Sequence, residues 1–332
     1  MSSITVNSLP VQTWNRLNIN DAVIDDPGYG SYRGSETADR PEIEGGMGKE
    51  FNEALSTVAF DRIMTDNGGI NKHIYNFTDK KKNALRNYIN VGCEDEAVVI
   101  QSYLSDIEDG RFAVQNKIEL EDNAKLTLVQ VQKLGNEAEF CNDIGAVLGK
   151  NASFRLVQIV LSGKNTYIGV KADEKGDGSS FDSTLAYRVG GSGRFDVNYE
   201  AVQSGKKTNS NIISNGVLYG KAEKVFRGTI DFKEGSSGSK GAEKEDVLLM
   251  DETVVNRSIP IILCHEEDVE GEHGATIGKI NDEQLFYMNS RGLPEKEVYK
   301  LLADARIAAA AKLIPDEETR KSVLDELVYI EE

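Results

Sequence analysis

The sequence predicts a mainly β fold, a parallel β-solenoid with small N-terminal and C-terminal helical regions. Two observations carry this. From about residue 86 to 262 helix signals vanish, and short β-branched and aromatic runs alternate with Gly, Asn and Asp. Within that stretch a 14-residue period recurs. Repeats start at Gly110, Ala124, Ala138, Ala152 and Thr166, and each has a large apolar residue two places on: Phe112, Leu126, Phe140, Phe154 and Ile168. The period slips by one and resumes at Phe181, Phe195 and, more faintly, Phe226.

A fixed apolar column implies that each repeat stacks its side chain on the one before. Fourteen residues at about 3.3 Å each give a perimeter of roughly 46 Å, room for two five-residue strands and two tight turns. One repeat is therefore expected to be one rung of about 14 residues. An antiparallel meander of similar strands is the competing architecture, but it does not place equivalent residues directly over one another. The end rungs of a solenoid expose unpaired edges. The N-terminal helix is expected to cap one end and the C-terminal helices the other, or an edge pairs with another subunit.

The elements divide the chain into an N-terminal arm and helical region over 1–85, a solenoid core over 86–280 and a C-terminal helical region over 281–332. In the first, Trp14, Leu17 and Ile19 read as anchors of a loose arm. Met47 to Met64 carries Phe51, Leu55, Val58, Phe60 and Ile63 at helical spacing and reads as one helix, stopped by Asn67-Gly68-Gly69. Lys233 to Glu245 is rich in Gly and Ser and lacks the order of a phosphate-binding loop, so it reads as a surface loop. In the tail, Asn281 can cap a helix that ends at Gly292, with Gln284 as capping-box partner. Pro294 opens a second helix along Val298, Leu301, Leu302, Ala305 and Ala309, and Pro315 separates a third that carries Val323, Leu324 and Leu327.

Composition narrows the function classes. The 332 residues carry 55 acidic against 38 basic side chains, a net charge of −17, which repels phosphate backbones and argues against nucleic acid. Three widely spaced cysteines, Cys93, Cys141 and Cys264, have no disulfide framework and point to a reducing, cytoplasmic compartment. The opening MSSITVNSLPVQTW has no signal-peptide character, and no apolar run is long enough to span a membrane.

The chemistry-bearing residues gather between Ile261 and Gly292: Cys264, His265, Glu266, Glu267, Asp268, Glu270, Glu272 and His273. Imidazole, thiolate and carboxylate are donors suited to iron. One cysteine cannot complete a four-thiolate site, whereas a site shared across a dimer interface can. Cys264 follows Ile261-Ile262-Leu263 and reads first as a buried structural cysteine, second as a ligand. His265 must face the opposite side of a regular strand. The acidic run reads as a solvated edge that resists strand pairing. Cys93 and Cys141 read as structural, with Cys141 pointing outward from the stacked column, and His73 reads as an exposed turn residue.

The junction ILCHEEDVEGEHGATIGKINDEQLFYMNSRGL resembles the C-terminal signature of the SufB/SufD family, and LPVQTWNRL resembles the N-terminal signature of its SufD members. The resemblance spans most of the chain. It implies a right-handed parallel β-helix and a non-catalytic scaffold subunit of the SUF iron–sulfur cluster assembly complex. It also implies pairing with a SufB-type subunit and binding of the SufC-type ATPase through the tail from about Asp282. His273 matches the SufD histidine at the subunit interface, so His273 and Cys264 are the candidate metal residues, with no stably bound cofactor and a transient iron–sulfur cluster at the interface. Many SufD members carry a cysteine two residues before that histidine; this chain has Gly271. The cysteine that SufB keeps about 28 residues before the EHG triplet is also absent. A self-pairing homodimeric scaffold is one alternative. A β-helix polysaccharide-active enzyme is another, although no grouped Asp, Lys or Arg stands out in the repeat register.

Overall fold

The computed structural model describes residues 3–13, 17–25, 28–32, 41–78 and 83–328. Trp14 lies outside them. A short antiparallel pair opens the chain, β1 (Ser3–Val6) and β2 (Ala22–Asp25), followed by β3 (Gly30–Ser31), helix α1 (Lys49–Ala54), β4 (Phe60–Ile63), β5 (Ile70–Phe77) and β6 (Asn83–Val91). The coil continues through β7 (Glu96–Ser105), β8 (Asp109–Leu120), β9 (Lys125–Lys133), β10 (Glu137–Leu148), β11 (Ser153–Ser162), β12 (Asn165–Glu174), β13 (Ser180–Val189) and β14 (Arg194–Gln203). Next come β15 (Asn209–Leu218), β16 (Glu223–Phe232), β17 (Ser239–Leu249), β18 (Val255–Cys264) and β19 (Val269–Gly278). Helices α2 (Asp282–Ser290), α3 (Glu295–Ala311) and α4 (Glu317–Val328) complete it.

Even-numbered strands from β6 to β18 form one parallel sheet and odd-numbered strands from β5 to β19 the other. The fold is the expected parallel β-solenoid, but the rung is twice the expected length. Phe112 pairs with Phe140 and Leu126 with Phe154, 28 residues on in each case. Each 14-residue repeat is half a rung, one strand and one turn. Strands of 9 to 12 residues, rather than five, fill the period. The single apolar column therefore splits into two, one in each sheet, which meet in a shared core with Phe154, Phe181, Phe195 and Phe226.

The interior also holds a polar ladder. Gln101, Gln130 and Gln158 stack in register on successive rungs. Gln130 donates to Gln101 at 2.8 Å, Gln158 and Asn142 donate to Gln130 at 2.7 Å, and Gln101 donates to Asn116 at 2.8 Å. Tyr103 and Tyr199 close the chain by donating to Gln101 and Gln158. Parallel register lets each amide serve the next rung, so these buried groups find partners. Further along, burial pushes the Glu174 carboxyl up to about 8.

The helical regions cover faces rather than ends. Met47–Met64 is not one helix. Arg86 donates to the carbonyls of Leu55 at 3.1 Å and Val58 at 3.2 Å, ending α1, and Phe60–Ile63 then joins β6 as a strand. Phe51, Leu55 and Val58 pack with Ile4, Val6 and Met47 onto Ala84, Ala113, Cys141 and Tyr167 of the even sheet. The strap before α1 lies against Gly145 and Gly169, where any Cβ would collide with its backbone. It is pinned by Asp143, which accepts from Met47 N at 2.8 Å and Gln115 at 2.8 Å and pairs with Lys117. Farther along the same face Arg227 pairs with Asp196 and donates to the carbonyls of Ile19 and Asp21. Ile19 is buried as expected, whereas Leu17 is exposed. On the odd sheet, Ile307, Ala310, Ile314, Val323 and Leu327 of the tail pack against Ile100, Val129, Val157, Ile159 and Ala186. The expected surface loop is also shorter than 233–245, because Ser239 onward is β17.

Asp143→Ala leaves Lys117 buried and unpaired and removes the strap's anchor. We expect a loss of about 3–5 kcal/mol, measured by urea unfolding. The raised Glu174 gives a second expectation. Its folded state holds a proton that the unfolded chain has lost, so its stabilising effect is complete below about pH 4.5 and fades as pH rises through 8. Glu174→Gln should flatten that slope, seen by repeating the unfolding series at pH 5, 7 and 9.

Candidate functional site at the open end of the solenoid

A parallel strand is satisfied only when flanked on both sides. β18 and β19 are the last strands of their sheets, and among the described residues neither has an outer neighbour. Among the described residues the arm touches only a face of β18, through Leu9 and Ile19 on Ile259, and α3 and α4 lie along the odd sheet. Nearly every residue of β19 is exposed.

The register fixes which side chains face the interior at this end. Cys264 continues the column of Gln203 and Phe232, and Gly271 continues that of Ser210 and Gly241. Gln203 donates to Ser210 across the interior at 2.8 Å, so Cys264 lies opposite Gly271. A Cβ on Gly271 would come within 3.0 Å of Ile262 and 3.2 Å of Phe232, which confirms its inward direction. His273, two residues on, shares that side. The structure thus brings Cys264 and His273 to the same open mouth from opposite sheets. Cys264 is exposed there, not buried as its apolar approach suggested. His265 faces outward, its Nε2 3.8 Å from Asp231.

The acidic run is exposed, as expected, and it also ties the last rung to the one below. Glu266 accepts from Gly235 N at 3.1 Å, Asp268 from Ser237 at 2.7 Å, and Glu270 pairs with Lys240 at 2.8 Å. The other candidates lie elsewhere. Cys141 points outward from the core, but the arm buries it against Tyr29, and burial drives its thiol far up. Cys93 is exposed in a turn, and desolvation together with Glu94 and Asp122 raises its thiol. His73 sits within β5, partly buried and stacked beside Tyr75, not in an exposed turn.

Beneath the mouth lies a charged group, two of whose members, Glu243 and Glu245, sequence reasoning assigned to a surface loop. Lys224 donates to Glu245 and, at 3.3 Å, to Ser258, which also donates to Glu245. Burial holds the Lys224 amine well below its ordinary range. Glu243, in register under His273, is 5% exposed, and burial lifts its carboxyl to about 7 against the pull of Lys224. The available signal was the alternation Gly241, Glu243, Glu245, Val247, which puts all four on one face.

Among the described residues no group of three His, Cys, Asp or Glu is placed to hold a metal ion. The mouth offers a partial donor set, one thiol and one imidazole. A groove of about 560 Å³ lies over the turns by Cys93, Glu121, Lys150 and Lys175. Its acids Glu119, Glu121 and Asp122 are all exposed.

Comparison with known families accounts for this architecture. The family described as the SufBD core domain of the SUF iron–sulfur cluster assembly system matches residues 74–306. The chain belongs to the SufBD family. It is 26% identical over 248 residues to the iron-sulfur cluster assembly protein SufD of Bacillus subtilis, covering 73% of this chain and 56% of that protein. A SufBD family protein of Mycobacterium tuberculosis is 33% identical over 122 residues, 37% of this chain and 14% of the relative. One from Staphylococcus epidermidis is 27% identical over 136 residues, 41% and 29% respectively. The chain thus spans little more than half the length of the SufD relative. Among the described residues no helix is long and apolar enough to cross a membrane.

Exposure separates the three thiols. Cys93 and Cys264 should react with a thiol reagent in the native protein and Cys141 only on unfolding. Mass mapping of alkylated peptides checks this, and labelling of native Cys141 would contradict the packed arm.

Proposed function

We propose that the chain is a non-catalytic scaffold subunit in SUF iron–sulfur cluster assembly, working in the cytoplasm as half of a dimer of β-helices. The observation that carries this reading is the uncovered last rung, with Cys264 and His273 at its open mouth between two unpaired strand edges. A second coil docked there continues both sheets and removes the exposed edges. It also adds the donors that one chain lacks, so iron and sulfide, as cargo, are held between subunits by thiolate and imidazole. Gly271 leaves β19 without a thiolate, and Cys264 supplies one from the opposite strand. The partner is a SufB-type subunit.

Helix α2 supports the second contact, with the SufC-type ATPase. It has no buried residue, and Phe286 and Tyr287 are exposed by 75% and 55%. Its N-cap is well made, Asn281 accepting from Glu283 N at 2.8 Å, so it is a firm helix with an exposed aromatic surface, on which Arg291 lies over the Tyr287 ring at 5.2 Å.

Co-expression of the tagged chain with SufB-type and SufC-type proteins, with iron and sulfide quantified, tests the assignment. A complex containing both supports it, a homodimer that takes only the ATPase replaces the SufB-type partner with a second copy, and recovery of neither overturns it. His273→Ala should keep the fold and lower the activity of iron–sulfur enzymes in cells several-fold, whereas unchanged activities would remove His273 from the site. Deleting residues after Ile280 should abolish ATPase binding, read by pull-down; retained binding would move the docking surface onto the solenoid.

A further inference from the structure

Pro260 stands exposed in the middle of β18, and the ladder around it shows which way its missing N–H would point. Val255 donates its N–H to the Ala222 carbonyl at 2.9 Å and His265 donates to Phe232 at 2.9 Å, both toward β16. The register of β18 on β16 runs from Val255 to Cys264 without a shift. Successive residues of a regular parallel strand turn their N–H and C=O groups to opposite sides. The odd-numbered residues therefore bond β16, and Asn256, Ser258, Pro260, Ile262 and Cys264 turn to the open edge. The proline costs the coil no internal bond, as an edge strand allows. It does break the edge: position 260 has no donor, and its ring fills the place of a partner's carbonyl.

The other edge is whole. Lys240 donates its N–H to the Thr208 carbonyl, toward β15, so the odd-numbered residues of β17 face β19. The unshifted register of β19 on β17 then gives the even-numbered residues of β19 to that strand. Val269, Gly271, His273, Ala275 and Ile277 turn outward with no proline among them, and His273 is at the centre.

We propose that Pro260 determines where a partner strand can pair at the mouth: on β18 only over Ile262–Cys264, on β19 along its length. The competent edges are the ones that carry Cys264 and His273, so the break steers the partner to the thiol and the imidazole. The occupant is the coil end of a SufB-type subunit with a neutral or basic rim, not a second copy. Glu267, Asp268, Glu270 and Glu272 are exposed around this mouth, and two copies, each of net charge −17, would bring one acidic run up to another. The choice of occupant rests on the proposed function; the break in the edge does not.

Amide hydrogen exchange of the full chain, resolved to single residues with and without a co-purified SufB-type subunit, reads both edges. Docking should slow Ile262, Cys264, Gly271, His273 and Ala275 by about ten-fold or more and leave Asn256 and Ser258 unchanged. Equal slowing at Ser258 overturns the inference. Pro260→Val supplies the missing donor, so Ser258 should join the slowed set and the complex should tighten about five-fold, the worth of one backbone hydrogen bond. Pro260→Ala repeats the test should the valine variant fold poorly, and variants that bind like the native chain overturn the inference. Sedimentation of the chain alone, at high salt to screen the acidic runs, separates this result from the docking reading. Pro260→Val should self-associate more strongly than the native chain at matched concentration. If no SufB-type complex forms, the proposed function fails, whereas stronger self-association of Pro260→Val still upholds the broken edge and unchanged self-association overturns it. A native chain that dimerises tightly by itself overturns the choice of occupant.

Discussion

Parallel strand pairing has one unavoidable consequence on which this molecule turns. Each rung hydrogen-bonds the rung below and the rung above, so every backbone group in the coil is satisfied except at its two ends. The same register that aligns Gln101, Gln130 and Gln158 into a bonded ladder also carries Gln203, Phe232 and Cys264 outward in one column. What lies on the last rung is displayed because the pattern stops. The helical regions do not relieve this. The N-terminal arm is fastened to the even sheet by Asp143 and by the Arg227–Asp196 pair, and the tail to the odd sheet by Ile307, Ile314 and Val323. Both faces of the coil are covered and the mouth is left open.

Much of this was legible in the sequence, and the errors have physical causes. The solenoid was readable because Phe112, Leu126, Phe140, Phe154 and Ile168 recur every 14 residues. Its rung length was not, because the two sheets share that spacing, and a half-rung repeat looks the same as a full one until pairing shows that Phe112 meets Phe140 and not Leu126. Met47–Met64 has helical spacing, yet Phe60 and Ile63 serve a strand whose partner Arg86 also ends α1. That contact is tertiary and leaves no local trace. In Lys233–Glu245 the Gly/Ser composition dominated the reading, while the alternation that buries Glu243 and Glu245 began within it.

The candidate site divides in the same way. Strand alternation alone separated Cys264 from His265, and the structure keeps them on opposite sides. Sequence could not show that Cys264 and Gly271 face each other, because that depends on the width of the turn at 265–268. This placement changes the meaning of the glycine. A thiolate at position 271 and one at position 264 approach the same opening from opposite strands, so losing the first does not empty the mouth of sulfur.

The chemistry beneath the mouth follows from net charge. Lys224 and Glu245 neutralise one another inside the coil, and Glu243 remains, buried, with Gly228 in front of it. Desolvation penalises its charge and needs a compensating proton donor or cation. The rung above presents an imidazole and a thiol at the open mouth. On the proposed reading these donors are too few to retain a cluster by themselves, and that incompleteness suits assembly. A full thiolate set in one chain would hold its product, whereas donors split between two coils release it when the interface is disturbed.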